Sequence, residues 1–329
     1  MISHTFSQVI RGQKRSLKVV GTSFRSFSQI SGNVLVSHTT TTSSHVSQKV
    51  YSPESSKVTE MVDDLLKYTR SLMNGSRHHI VAYSGGIDSS LVAMLIQKSA
   101  HSDESVRAVL GLSPAVPTEQ ISLAEEVAKI IGIPLEKIET TESTDEMYIE
   151  NNGKACYACK THLYTCLEKI FEHSVKDGKG RLYNGTNWDD LKDSTRVGLI
   201  AADQFFVQSP LKNISKDEVR IVAKHLQLPN WNFAASPCLR SRLALGVQAI
   251  PSHLKRIEKA ERHVRACLEI DPTRNLRVRL LTKARAMVEV EETFLDHAKH
   301  ELASWQVAFQ EMGFSSVDVR SFKSGSVAT

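Results

Sequence analysis

HHIVAYSGGIDSSLVAMLI, residues 78–96, decides the fold. Ile80 to Tyr83 form the kind of small apolar run that ends a buried parallel strand, and Leu91, Val92, Leu95 and Ile96 then recur at helical spacing. Between strand and helix stands Ser84-Gly85-Gly86-Ile87-Asp88-Ser89. Two adjacent glycines allow a sharp turn on which backbone N–H groups converge, and the following helix directs its positive end at the same point. Such a turn holds an anion such as pyrophosphate. Ser84 and Ser89 add hydroxyl donors. Asp88 would repel a bare phosphate, so it is assigned to a hydrated Mg²⁺ bridging the phosphates of ATP. The string has neither the Gly-Lys-Ser/Thr of a Walker loop nor the spaced glycines of a dinucleotide fingerprint.

On the N-terminal side, Lys57 to Met73 places Val58, Met61, Val62, Leu65, Leu66 and Leu72 at helical spacing, with Asn74-Gly75 as the stop. On the C-terminal side, Val106 to Leu110 reads as a strand, Thr118 to Ile131 as a helix stopped by Gly132, and Leu135 to Ile138 as a third strand. Strand, helix, strand, helix, strand with short connections predicts an α/β fold with a doubly wound parallel sheet, whose ligands bind at the carboxyl ends of the strands. The polar stretch 140–155 is expected to be a loop over the site, before a helix from about Ala158 to Val175 and a strand from Gly180 to Asn184. That strand runs into Gly185-Thr186-Asn187-Trp188-Asp189-Asp190. A helix over Lys216 to Leu226 and a loop over Pro229 to Arg242 follow. Beyond Pro251 the pattern gives a helix (Ser252 to Leu268), strands at Leu276 to Leu280 and Ala286 to Val290, a helix over Thr293 to Met312 and a strand near Ser316 to Val319. The expected organisation is a leader over 1–50, a main domain over 57–250 and a small α+β domain over 251–329. The glycine turn between strand and helix resembles the PP-loop of ATP pyrophosphatases, which cleave ATP between its α and β phosphates and adenylate a substrate, and the resemblance implies a sheet of that type.

Charge is unevenly placed. Residues 1–50 carry Arg11, Lys14, Arg15, Lys18, Arg25 and Lys49 and no acid, whereas the rest of the chain holds 35 bases against 36 acids. The net charge of +5 belongs to the leader, and no basic stripe for nucleic acid is left in the remainder. The leader is rich in Ser and Thr, with Thr39 to Ser44 in one run, which is the composition of a mitochondrial or plastid transit peptide. As a plain disordered tail it would instead leave the protein cytoplasmic. No run reaches the about 18 apolar residues needed to span a bilayer, so a soluble protein without a membrane partner is expected. Five cysteines with one Cys-x-x-Cys point to metal or redox chemistry more than to a disulfide framework.

Cys156 and Cys159 stand where a loop meets a helix, in Lys154-Ala155-Cys156-Tyr157-Ala158-Cys159-Lys160. The spacing brings two thiolates within reach of one metal or cluster, and the flanking lysines are expected to lower the thiol pKa. A zinc knuckle would add a second such pair or paired histidines, and a redox pair would need its own fold context. Cys238 lies in Ala235-Ser236-Pro237-Cys238-Leu239-Arg240-Ser241-Arg242, a proline-led loop with arginines close by, which suits thiolate chemistry. Cys166 and Cys267 fall in apolar helical patterns and read as structural; His78 and His79 are expected on the surface.

Taken in order, Ser84 to Ser89, Cys156 to Lys160 with Leu163-Tyr164, Asn184 to Asn187 with Asp189 to Asp193 and Arg196, Ser209-Pro210-Leu211, Pro237-Cys238-Leu239 with Ser241-Arg242, and Arg277-Val278-Arg279 resemble the LarE family over about residues 57–320. Its members are ATP-dependent sulfur transferases that convert a dicarboxylated pyridinium mononucleotide into its thiocarboxylate for a nickel-pincer cofactor. The resemblance implies that Ser84, Gly85, Gly86, Asp88 and Ser89 hold ATP and Mg²⁺, that a substrate carboxylate attacks the α-phosphate, and that pyrophosphate leaves. It implies two alternative sulfur sources. In one, Cys238 attacks the acyl adenylate and gives up its own sulfur, becoming dehydroalanine; in the other, Cys156, Cys159 and Cys238 hold a 4Fe–4S cluster whose open iron carries a sulfide. All three positions are cysteine here, which favours the cluster. Asp189 and Asp190 would serve Mg²⁺ or ribose, with helix capping as the alternative. Arg196, Arg242, Arg277 and Arg279 would bind the substrate's phosphate and carboxylates, although Arg277 and Arg279 also alternate with Leu276, Val278 and Leu280 as on a solvated strand face. The partners implied are a small-molecule carboxylate, a sulfide donor and a homo-oligomeric contact through the small C-terminal sheet.

The family's Arg-Pro-Gly is Arg196-Val197-Gly198 here, its Ser-Arg-Ile-Pro-Tyr-Gly is Ser241-Arg242-Leu243-Ala244-Leu245-Gly246, and the His that often follows Arg-Val-Arg gives way to Leu280-Leu281. These departures leave ATP activation untouched and bear on the sulfur acceptor. Competing readings are a tRNA thiolase, an amide-forming ligase, and a non-catalytic nucleotide- or iron–sulfur-binding protein. Charge balance opposes the first and the lack of a glutaminase-like segment the second, while an intact glycine turn opposes the third.

Overall fold

The computed structural model describes residues 53–174 and 180–323; the expected leader and the last residues of the chain lie outside them. The chain runs through α1 (Pro53–Met73), β1 (His78–Tyr83), α2 (Ile87–Ser99), β2 (Ser105–Leu112), α3 (Thr118–Ile131), β3 (Leu135–Glu139), α4 (Glu146–Ile149), α5 (Ala155–Ser174), β4 (Gly180–Tyr183), α6 (Trp188–Lys192), α7 (Gly198–Gln204) and α8 (Lys216–His225). Successive residues of a strand point to opposite faces. Val81 and Tyr83 join a core built with α1, α2, α3 and α8, whereas Ile80 and Ala82 join one built with α5 and α7. Burial on both faces is why this strand is apolar without alternation.

The four strands are parallel, in the order β3-β2-β1-β4. From β1 the chain steps outward to β2 and β3 over one face, then crosses the other face through α5 and returns to β4 on the far side of β1. Right-handed crossovers force that change of face. The reversal falls between β1 and β4, whose carboxyl ends lead into Ser84 and Asn184, the place where such sheets bind ligands. An open groove of about 800 Å³ lined by His101, Glu104, Arg107 and Glu136 lies at the opposite, amino-terminal ends of the strands.

The rest of the chain forms α9 (Pro251–Cys267), β5 (Leu276–Leu280), β6 (Arg285–Val290), α10 (Glu292–His300), α11 (Leu302–Glu311) and β7 (Ser316–Ser321). β6 pairs antiparallel with β5 and parallel with β7. Trp305, Phe309 and Phe314 fill the core beneath this sheet together with Leu254 and Ile257 of α9. The same core takes in Tyr148, Ala155, Ala158, Leu239 and Leu243, so packing continues across residue 250 even though the sheet changes there. The helix expected over Thr293 to Met312 is two helices that meet at Glu301, the last cap of α10 and the first of α11.

His79 is not on the surface. It points inward from a strand covered on both faces, 1% exposed, with Nδ1 2.9 Å from the Tyr183 hydroxyl and Nε2 3.9 Å from Glu104. Burial lowers its pKa to about 4. Two hydrogen bonds from the Arg70 guanidinium, 2.6 and 2.7 Å, hold the Glu104 carboxyl down at about 2. Among the described residues no helix is long and apolar enough to cross a membrane.

Candidate active site

At the end of β1 the backbone turns through Gly85 at φ 72°, a left-handed conformation that glycine adopts without strain. A Cβ at Gly85 would stand 2.6 Å from the Cα of Ala124, so the close approach of α3 also requires glycine. Gly86 caps α2 without a side-chain hydrogen bond, which leaves N–H groups of the first turn for a ligand. The turn is braced from behind. Gln120 Nε2 donates to the Ser84 carbonyl at 2.8 Å, and the buried Asn230 donates to the Gly85 carbonyl at 2.8 Å and the Ser90 hydroxyl at 3.2 Å. The Ser84 and Ser89 hydroxyls meet at 3.1 Å.

The turn after β4 is pressed onto this one, because a Cβ at Gly185 would lie 2.8 Å from Asp88 Cβ and from Ser89 N. Asn187 Nδ2 donates to Asp88 Oδ1 at 3.1 Å, and the Lys216 ammonium pairs with Asp88 Oδ2. The sequence reading missed Lys216. Its signal is a lysine in the first turn of α8, where the helix dipole disfavours a cation unless an anion meets it. Asp189 and Asp190 sit in the first turn of α6, whose cap is Asn187; Asp190 completes a capping box, and its carboxylate also meets Arg196 at 2.8 Å. Asp189 accepts the Lys216 backbone N–H at 2.8 Å. Both aspartates make the helix-capping contacts of the alternative reading.

Cys156 and Cys159 lie in the first turns of α5, and Cys238 caps a short 3-10 turn over Leu239–Arg242. All five cysteines are free thiols. Arg240 Nη2 donates to Cys156 Sγ at 2.7 Å and also interacts with Cys238 and Tyr148. Burial pushes the Cys159 thiol up to about 12, with Cys238, Glu142 and Cys156 adding to the rise. The lysine effect expected there is overridden: Lys160 lowers the value, but loss of water outweighs it. Among the described residues no group of three or more His, Cys, Asp or Glu side chains is arranged to hold a metal ion. Cys267 is exposed in the last turn of α9, 3.6 Å from His263, rather than packed in a core.

Three of the four arginines expected to face a substrate are gathered behind Cys238. Arg242, 2% exposed, donates to the carbonyls of Pro237 and Cys238 and pairs with Glu261 at 2.9 Å. Arg277 donates to the Ala235 carbonyl, and Arg279 donates to the Ser241 carbonyl at 3.2 Å and pairs with Glu289 at 2.8 Å. Both side chains are buried, which overturns the solvated-strand alternative: the 235–242 loop covers that face of β5. Burial first, then the neighbouring Arg242 and Arg279, lowers Arg277 to about 10. Glu261 and Glu289, the anions that make this cluster tolerable, were not singled out in the sequence. Arg196 stands apart on the surface with Asp190 and Asp193.

The family model for NAD synthase matches residues 57–241, from α1 through the glycine turn to the cysteine loop. The chain belongs to the NAD synthase family. Within that PP-loop superfamily it is LarE-like, an ATP-using enzyme whose matched stretch contains both the nucleotide turn and all three clustered cysteines. An uncharacterized protein of Synechocystis sp. is 33% identical over 207 residues, 62% of this chain and 75% of the relative. The pyridinium-3,5-bisthiocarboxylic acid mononucleotide synthase of Lactiplantibacillus plantarum is 28% identical over 188 residues, 56% of this chain and 66% of that enzyme. An uncharacterized protein of Methanocaldococcus jannaschii is 27% identical over 247 residues, 72% and 87% of the two chains.

Proposed function

We propose that this PP-loop enzyme adenylates a carboxylate of a small molecule and replaces one carboxylate oxygen with sulfur, with an acceptor of the pyridinium dicarboxylate mononucleotide type. The observation that carries the sulfur step is that Cys156, Cys159 and Cys238 act on one another, with Arg240 beside Cys156 and Cys238.

The Ser84–Ser89 turn cradles the phosphates. Asp88 fits a hydrated Mg²⁺, since its carboxylate already attracts the Lys216 ammonium, and the ion when bound neutralises phosphate charge. Lys216, released from Asp88, then meets a phosphate oxygen. The acceptor carboxylate attacks the α-phosphorus, the bond to the bridging oxygen breaks, and pyrophosphate leaves. A sulfur nucleophile adds to the acyl carbon, and AMP departs with the original carboxylate oxygen, leaving a thiocarboxylate.

The family resemblance would have the free thiols of Cys156, Cys159 and Cys238, which act on one another electrostatically, hold a 4Fe–4S cluster with one iron lacking a protein ligand, and the cluster would supply a transferable sulfide. Arg242, Arg277 and Arg279 form positive ground behind Cys238 that suits an acceptor's phosphate. The family match favours a second reading, in which ammonia attacks the adenylate and an amide forms.

One assay separates the readings: ATP, Mg²⁺, sulfide or ammonia and the pyridinium acceptor, with pyrophosphate and product mass both followed. Cys238→Ala should abolish thiolated product while pyrophosphate release continues. Undiminished thiolation by that variant contradicts the role of Cys238 in both sulfur mechanisms, and amide product alone from the natural protein contradicts the sulfur reading.

A further inference from the structure

The cysteine site holds a fixed cation that the chemistry above leaves unused. Arg240 is gripped from behind: its Nη1 donates to Asn151 Oδ1 at 3.0 Å, and the Asn151 amide nitrogen donates to the carbonyls of Ala244 and Val247 at 3.0 and 3.2 Å. Asn151 is 1% exposed and sits in left-handed backbone at φ 51°, so the turn that carries it is held from several sides. The Ala244 N–H in turn donates to the Leu280 carbonyl of β5 at 3.0 Å. Through this relay the C-terminal sheet sets the guanidinium in front of the exposed Cys156. Lys160 is a second cation, acting on Cys159 as well as on Cys156 and Cys238, and Glu142, 2% exposed, is the acidic group that acts on Cys159 and Tyr148. A guanidinium has five N–H donors, more than Asn151 and the two sulfurs use.

We propose that Arg240, positioned by Asn151, makes the cysteine site receptive to a small anionic sulfur species such as hydrosulfide and orients it beside Cys156 and Cys238. This rests on the sulfur reading of the site. A planar fork of donors with a permanent charge selects an anion over neutral ammonia. Arg240 would act as a positioning residue for the incoming sulfur and not as a group that itself reacts.

The test uses the metal-free full chain and two alkylating probes, iodoacetate (an anion) and iodoacetamide (neutral), with modification of Cys156 read by peptide mass. The ratio of the two rates cancels differences in thiol ionisation, and the iodoacetamide rate reports whether fold and access are kept. Arg240→Gln should lower the ratio about fivefold, the effect of removing one unit charge at contact distance in a water-like dielectric. Arg240→Lys should keep most of it. An unchanged ratio in Arg240→Gln, or a loss that Lys does not restore, overturns the proposal. In the thiolation assay Arg240→Gln should raise the KM for sulfide about fivefold with kcat within about twofold; an unchanged KM also overturns it. Because the alkylation arm needs no catalysis, failure to thiolate any acceptor would sink the sulfur reading while the charge of the site is measured separately.

Discussion

The nucleotide turn draws its groups from six consecutive residues, Ser84 to Ser89, while the cysteine site joins Cys156 to an arginine 84 residues further along and leans on α9, β5 and β6 for support. In the first region the backbone is the ligand. Its geometry follows from local rules, a glycine at positive φ and a helix start, with Gln120 and Asn230 bracing the turn and Asp88 adding an acidic group. In the second region every useful group is a side chain, and its orientation depends on what is buried behind it. The loop that carries Cys238 needs its carbonyls satisfied, and Arg242, Arg277 and Arg279 do this from behind it.

The largest effect should come from the backbone-built region. Asp88→Asn should reduce acceptor-dependent pyrophosphate release about a thousandfold with little change in thermal midpoint, because it removes the carboxylate that would hold the Mg²⁺ neutralising the phosphates. A loss below about tenfold would take Asp88 out of the chemistry. In the side-chain-built region the cost should appear as stability. Arg242→Met takes the guanidinium away from the Glu261 ion pair and from the Pro237 carbonyl and should lower the free energy of unfolding by about 3 kcal/mol in a denaturant titration. A loss under about 1 kcal/mol would mean that the loop does not depend on it and would return Arg242 to the pool of ligand-binding groups.

A smaller effect belongs to neither site and serves as their control. His79 has a folded pKa near 4, below the unfolded 6.5, so the unfolded chain takes up the proton first and stability is lost as pH falls from 6.5 to 4. Glu104, near 2 in the folded state against 4.5, adds stability that is present above 4.5 and lost as pH falls toward 2. His79→Gln should flatten the upper window by about 2 kcal/mol and leave the lower one standing. If it also changed pyrophosphate release at neutral pH, the two ends of the sheet would be coupled and the separation drawn here would fail.

Much of the architecture was legible in the sequence. Strands and helices that bury a whole face announce themselves by periodicity, and α3 and β5 run over the residues expected of them. The glycine turn was legible because its function is local. Lys216 was not, since its partner Asp88 is 128 residues away and only the sheet's reversal brings them together. Asn151 and Glu289 were equally hidden: each is a polar residue whose importance comes from burial, which no local pattern records. The same blindness put His79 on the surface, and it credited lysines with control of Cys159, where burial decides.

The central claim is that a carboxylate is activated by adenylation at the glycine turn. The direct measurement is to label both oxygens of the acceptor carboxylate with oxygen-18, run the reaction to completion and weigh the AMP. The account predicts one labelled oxygen in the AMP phosphate for each acceptor turned over, with unlabelled pyrophosphate. Both labels retained in the acceptor with none in AMP, or label found in inorganic phosphate with ADP as the nucleotide product, would contradict it.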